Sequence, residues 1–172
     1  MSSKSPLPRT LVIMGVSGCG KTVAGELLAP RINGVFEDAD NFHTEAAKDK
    51  MRASIPLTDE DRWPWYAKLR ARIEEMRGLT PCYVLACSAL KQIYRDRLRD
   101  GDGADQLQFV FLDGSFDLIN ARMSVRKNHY MPVSLLQSQF ATLERPADAV
   151  TVGIDKTPEA IVADILSHFA PP

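Results

Sequence analysis

At 172 residues and 45% hydrophobic content, the chain is long enough to bury one sizeable core and matches the length of one ordinary domain. A formal net charge of −1 excludes attraction to nucleic acid or an anionic membrane surface through overall charge, so any anion must be held by local placement of charge. Three cysteines (Cys19, Cys82 and Cys87) without metal-ligand spacing read as reduced, cytosolic thiols, and no stretch approaches the roughly 20 apolar residues of a membrane span.

Residues 1–9 and 170–172 read as flexible tails of a single domain spanning 1–172. The apolar run at 11–14 follows Lys4 and Arg9, but it is too short for a secretory signal and ends in glycine and lysine, so it reads as a buried strand. Residues 34–37 form a second strand, closed by the acidic turn "DADNFH". Thr58 and Asp61 make a capping box, Pro64 suits a first turn, and Tyr66, Leu69, Ile73 and Met76 share one helical face. Strands follow at 82–87, 109–112 and 149–154, with helical periodicity at Leu136, Phe140 and Leu143 and again at Ile161, Ile165 and Phe169. Thr157 and Pro158 start the last helix. Short apolar strands alternating with helices predict an α/β fold, a five-stranded parallel sheet covered on both faces, with ligands beyond the carboxyl ends of the strands.

Gly15-Val16-Ser17-Gly18-Cys19-Gly20-Lys21-Thr22 fits G-x-x-x-x-G-K-[ST] in full, after a predicted strand and at the start of a predicted helix. Glycines let successive N–H groups curl around an anion, the helix amino end adds its dipole, Lys21 reaches the terminal phosphates and the Thr22 hydroxyl is a candidate Mg²⁺ ligand. The alternative is a glycine-rich turn that holds nothing; the matching flanks favour a nucleoside triphosphate.

Phosphoryl transfer also needs an acid near the metal, and two strand ends compete. Asp113 follows "FVFL", where Asp113 or Ser115 equally caps the next helix; Asp38 and Asp40 stand two apart in "EDADNFH", which also reads as a solvated turn capping a helix at Asn41 or Thr44. Composition leaves both open.

The segments "MGVSGCGKT", "DADNFH", "KMRASIPLTDEDRWPW", "ACSALKQIYRDRLR", "FVFLDGSFDLINARM" and "HYMPVSLLQSQFATLE" resemble the gluconate kinases, small P-loop carbohydrate kinases, in family order over nearly the whole chain. The resemblance implies a three-layer α/β/α P-loop fold with a mobile lid at about 122–134. It implies ATP and Mg²⁺ as cofactors, and transfer to the terminal hydroxyl of D-gluconate to give 6-phosphogluconate for the pentose phosphate pathway. It also implies a cytoplasmic homodimer without nucleic-acid or membrane partners.

On this resemblance Asp38, with Thr22, serves the metal, Asp40 faces the acceptor hydroxyl, and Asp113 becomes a cap. His43, Arg62, Ser88, Lys91, Arg95 and His129 fall on the substrate side, while Lys21 and the lid arginines Arg122 and Arg126 stabilise the transferring phosphoryl group. Without the resemblance, Arg62 belongs to a capped helix start, Lys91 and Arg95 to a solvated helix face, and Arg122 and Arg126 to a basic helix end. Thr44, Ala46 to Lys48 and Ser54 depart from the family pattern, which usually has proline at the first position and glycine at the last. Two rivals are a related kinase acting on shikimate or another sugar acid, and a GTPase-type switch. Against the switch, the only D-x-x-G match, Asp100 to Gly103, lies in a polar loop, and no N-K-x-D is present.

Overall fold

The computed structural model describes residues 3–126 and 132–172. Five strands, β1 (Thr10–Met14), β2 (Val35–Asp38), β3 (Tyr83–Ala86), β4 (Leu107–Asp113) and β5 (Val150–Gly153), form one sheet in the order β2-β3-β1-β4-β5. Every pairing is parallel. Parallel neighbours need long crossovers, and helices supply them.

In chain order these are α1 (Lys21–Arg31), α2 (Glu45–Arg52), α3 (Asp59–Arg77), α4 (Gln92–Arg99), α5 (Phe116–Ser124), α6 (Val133–Thr142) and α7 (Pro158–Ser167). Successive β1 residues point to opposite faces, so Leu11 and Ile13 join a core with Leu28 of α1 and Ile165 of α7. Val12 and Met14 join the second core, with Leu69 and Ile73 of α3 and Leu98 of α4. The predicted three-layer architecture is therefore present.

Local start signals act as read. Thr58 and Asp61 close a capping box on α3, and Thr157 accepts from the Ala160 N–H with Pro158 in the first turn of α7. Pro64 stands in the second turn of α3, one turn later than expected. Leu143 and Phe169 lie just past the ends of α6 and α7 yet still pack on the first core.

The amino-terminal segment is not free over its whole length: Ser5 bridges Phe169, and its carbonyl accepts from the Ala170 N–H at 2.8 Å. Among the described residues no helix is long and apolar enough to cross a membrane. The sheet order reverses around β1, which lies between β3 and β4, so the crevice of the fold opens beyond the carboxyl end of β1.

Candidate active site

The turn from β1 to α1 fills that crevice. Gly15 and Gly20 have φ of 147° and 98°, a region costly for residues with a Cβ, so the chain curls back on itself before the helix begins. Gly20 is the N-cap of α1 and supplies no capping side chain. Among the described residues the N–H groups of Gly18, Gly20, Lys21 and Thr22 find no protein acceptor. Orphan donors converging at a helix amino end fit a polyphosphate. The Lys21 ammonium folds over the loop, donating to the carbonyls of Gly15 and Val16 at 3.0 and 3.1 Å.

Beside the loop, the Thr22 hydroxyl donates to Asp38 Oδ2 at 2.9 Å, and Asp38 Oδ1 accepts from the Asp40 N–H at 2.9 Å. Asp38 thereby caps a short 3-10 turn, Ala39–Phe42, which projects the Asp40 side chain into solvent at 77% exposure. His43 Nε2 stands 3.6 Å from Asp40, and this imidazole holds the Asp40 carboxyl below the usual carboxylate range. His43 is buried, stacked 4.1 Å from the Trp65 ring, and its Nδ1 has no partner among the described residues. Trp65 in turn donates to the Ala39 carbonyl at 2.8 Å, so α3 supports the acidic turn from beneath.

A cleft of about 370 Å³ joins these parts, lined by Lys21, Thr22, Asp38, Asp40, Ser88 and Arg126 among others. An adjoining cavity of about 250 Å³ lies on the other side of the loop, between Val23, Arg122, Arg126, Lys156 and Pro158. Arg122 and Arg126 thus flank the loop where α5 ends; His129 lies outside the described residues.

On the far side, the Arg62 guanidinium and the Lys91 ammonium lie 5.5 and 5.7 Å from the same Tyr94 ring. The Tyr94 hydroxyl donates to Asp59 at 2.6 Å, and Arg62 donates to the Leu57 carbonyl at 2.9 Å.

Two expectations change. Arg95 is neither on a solvated face nor open to the cleft: it is 1% exposed and donates to the carbonyls of Ala89, Leu90 and Glu144 at 2.7, 3.1 and 2.8 Å. Asp113 is not the cap of α5. Ser115 caps α5 through the Leu118 N–H, and Asp113 makes a two-pronged ion pair with Arg145. The D-x-x-G match lies in a polar turn, as read: Asp100 is the C-cap of α4, and its neighbour Asp102 pairs with Arg70 and Arg77.

Among the described residues no three His, Cys, Asp or Glu side chains cluster as a metal cage. A hard cation kept by a hydroxyl, one or two carboxylates and phosphate oxygens needs no such cage, and the oxygens of Thr22 and Asp38 fit that donor set.

Two contributions went unassigned in the sequence. Gln139 reaches the loop at Ser17, and Met123 lines the cleft. Ser17 and Gln139 are 122 positions apart, so no local spacing signals that contact.

The sheet order, the helix that opens on a glycine loop and the Lys-Thr pair with its facing acid define a P-loop kinase of small molecules. The family model described as "Shikimate kinase" matches residues 17–170. A probable gluconokinase of Mus musculus is 41% identical over 92% of this chain and 96% of its own length. The gluconokinase of Gluconobacter oxydans (strain 621H) is 41% identical over 94% of this chain and 92% of its own. The crystal structure of a gluconokinase from Sinorhizobium meliloti 1021 superposes with a TM-score of 0.83 at 40% identity, covering 95% of this chain and 92% of that one. The chain belongs to the gluconokinase family, within the shikimate kinase group of P-loop folds.

Proposed function

We propose that this enzyme transfers the terminal phosphoryl group of ATP to the terminal hydroxyl of D-gluconate, giving ADP and 6-phospho-D-gluconate. The observation that carries the reading is the short chain of hydrogen bonds from Thr22 through Asp38 to Asp40, set beside a loop whose Gly18, Gly20, Lys21 and Thr22 N–H groups have no acceptor among the described residues.

The loop from Gly15 to Thr22 takes the phosphate chain on the N–H groups of Gly18, Gly20, Lys21 and Thr22, and Lys21 exchanges two loop carbonyls for phosphate oxygens. Thr22 and Asp38 hold Mg²⁺, which when bound neutralises charge on the phosphate oxygens. Asp40, kept ionised by His43, accepts the hydrogen bond and then the proton of the attacking hydroxyl. Arg122 and Arg126 approach from the other flank and offset charge on the moving phosphoryl group. Because such transition states are loose, positioning and electrostatics supply most of the acceleration.

Gluconate is an anion bearing a row of hydroxyls. Arg62 and Lys91, converging on Tyr94, suit its carboxylate, while Ser88 and His43 suit the hydroxyls. Arg95 acts here by shaping the turn that carries Ser88 and Lys91. The cavity beside Lys156 and Pro158 suits the nucleoside. Three buried free thiols fit a reducing cytoplasm, and the family resemblance suggests a homodimer.

A coupled ADP-release assay over gluconate, other sugar acids, shikimate and nucleoside monophosphates tests the assignment. Gluconate is expected to lead by at least tenfold in kcat/KM; a clear preference for any other acceptor overturns it.

A further inference from the structure

The phosphate loop is gripped at one point by a side chain from a distant helix. The Gln139 carbonyl oxygen accepts from the Ser17 N–H at 2.7 Å, and the same amide donates through Nε2 to Ser17 Oγ at 2.9 Å. The backbone donor dictates which way this amide faces, so the two bonds form one closed ring.

The helix behind Gln139 is itself anchored. Just past α6 the Glu144 N–H donates to the Leu90 carbonyl at 2.8 Å, its carboxylate accepts from the Gln92 N–H at 3.2 Å, and its carbonyl accepts from Arg95 at 2.8 Å. The same turn after β3 carries Ser88, whose carbonyl takes the Gly15 N–H at 3.3 Å. One rigid body therefore holds the loop twice, at Gly15 and at Ser17.

We propose that Gln139 is a positioning residue for phosphoryl transfer: by fixing the Ser17 peptide it keeps the N–H groups of Gly18, Gly20, Lys21 and Thr22 aimed at the polyphosphate. This rests on the kinase reading above. A loop with glycines at its first, fourth and sixth positions has many alternative conformations, and a ring of two hydrogen bonds at its third residue removes much of that freedom before nucleotide arrives. Ser17 has its own N–H satisfied by Gln139, so its role is to be held rather than to bind.

Gln139→Met keeps side-chain length and helix propensity but forms neither bond, and Gln139→Ala removes the side chain. Each variant and the parent enzyme are assayed for KM of ATP, KM of gluconate, kcat, ADP affinity by calorimetry and melting temperature. Loss of two hydrogen bonds is expected to raise KM for ATP and weaken ADP binding about tenfold, with KM for gluconate changed less than about twofold. Ser17→Ala, which loses one bond of the ring, is expected to fall between, and Ser17→Ala combined with Gln139→Met to be no worse than Gln139→Met alone.

A Gln139→Met enzyme with parental KM for ATP overturns the proposal, as does a loss affecting both substrates equally and tracking the melting temperature. If the parent itself binds no ADP, the kinase reading fails first, and that result is distinct.

Discussion

Thr22 on the first turn of α1 and Asp38 at the end of β2 share a hydrogen bond of 2.9 Å, although one belongs to the phosphate loop and the other to the acidic turn. The contact brings the two candidate metal oxygens to a common point and leaves the second acid of the turn, Asp40, facing solvent. Asp113, the competing strand-end acid, is held instead by Arg145 at the end of β4.

Metal dependence should separate those acids. Asp38→Asn is expected to raise the Mg²⁺ concentration for half-maximal rate by about 10- to 100-fold, and EDTA to abolish turnover of the parent enzyme. Asp113→Ala should leave the Mg²⁺ requirement within about twofold. The reverse pattern in Mg²⁺ titrations of the initial rate would transfer the metal role to Asp113.

Asp40 carries the pH prediction. Lys21→Ala and Asp40→Ala should each lower kcat at least about 100-fold without unfolding the protein, since Asp40 is largely exposed. His43 lowers the Asp40 pKa, so the carboxylate persists below the ordinary range and activity should survive to correspondingly low pH. His43→Phe keeps an aromatic ring on Trp65 but lets that pKa rise, and the acidic limb of kcat/KM should move to higher pH. An unmoved limb in the pH profile would remove Asp40 as the titrating base.

Arg95 should behave as a structural residue. Arg95→Ala leaves the carbonyls of Ala89, Leu90 and Glu144 without their shared donor, for an expected loss of about 2–4 kcal/mol in denaturant unfolding. A variant of parental stability whose KM for gluconate rises strongly would instead make Arg95 a direct substrate contact.

Ser54 supplies a stabilising change. Its φ of 56° lies in the left-handed region, at the position where the resembling family usually carries glycine. Ser54→Gly should relieve the steric cost of the Cβ, partly offset by added freedom of the unfolded chain, for a gain of about 0.5–1 kcal/mol. Chemical denaturation of the two proteins measures it directly.

Much of the fold was legible because the signals are local. The apolar runs became the five strands within one or two residues at most ends, and Tyr66, Leu69, Ile73 and Met76 all turned inward from α3. The loop from Gly15 to Thr22 was equally plain, since its glycine spacing has few other uses. The polar residues read less well: a guanidinium such as Arg95 and a carboxylate such as Asp113 each suit several partners, and spacing does not choose among them.

The sequence by itself determined the alternation of strands and helices, the anion-binding loop and the resemblance that points to a carbohydrate kinase, because each is written in contiguous residues whose periodicity or backbone freedom acts locally. Only the tertiary structure decided that Asp38 meets Thr22, that Arg145 takes Asp113, that Arg95 is buried and that Gln139 grips Ser17. Those pairings depend on which strand ends and helix faces the sheet order brings together, and charge or hydrogen-bonding capacity alone does not specify a partner so far along the chain.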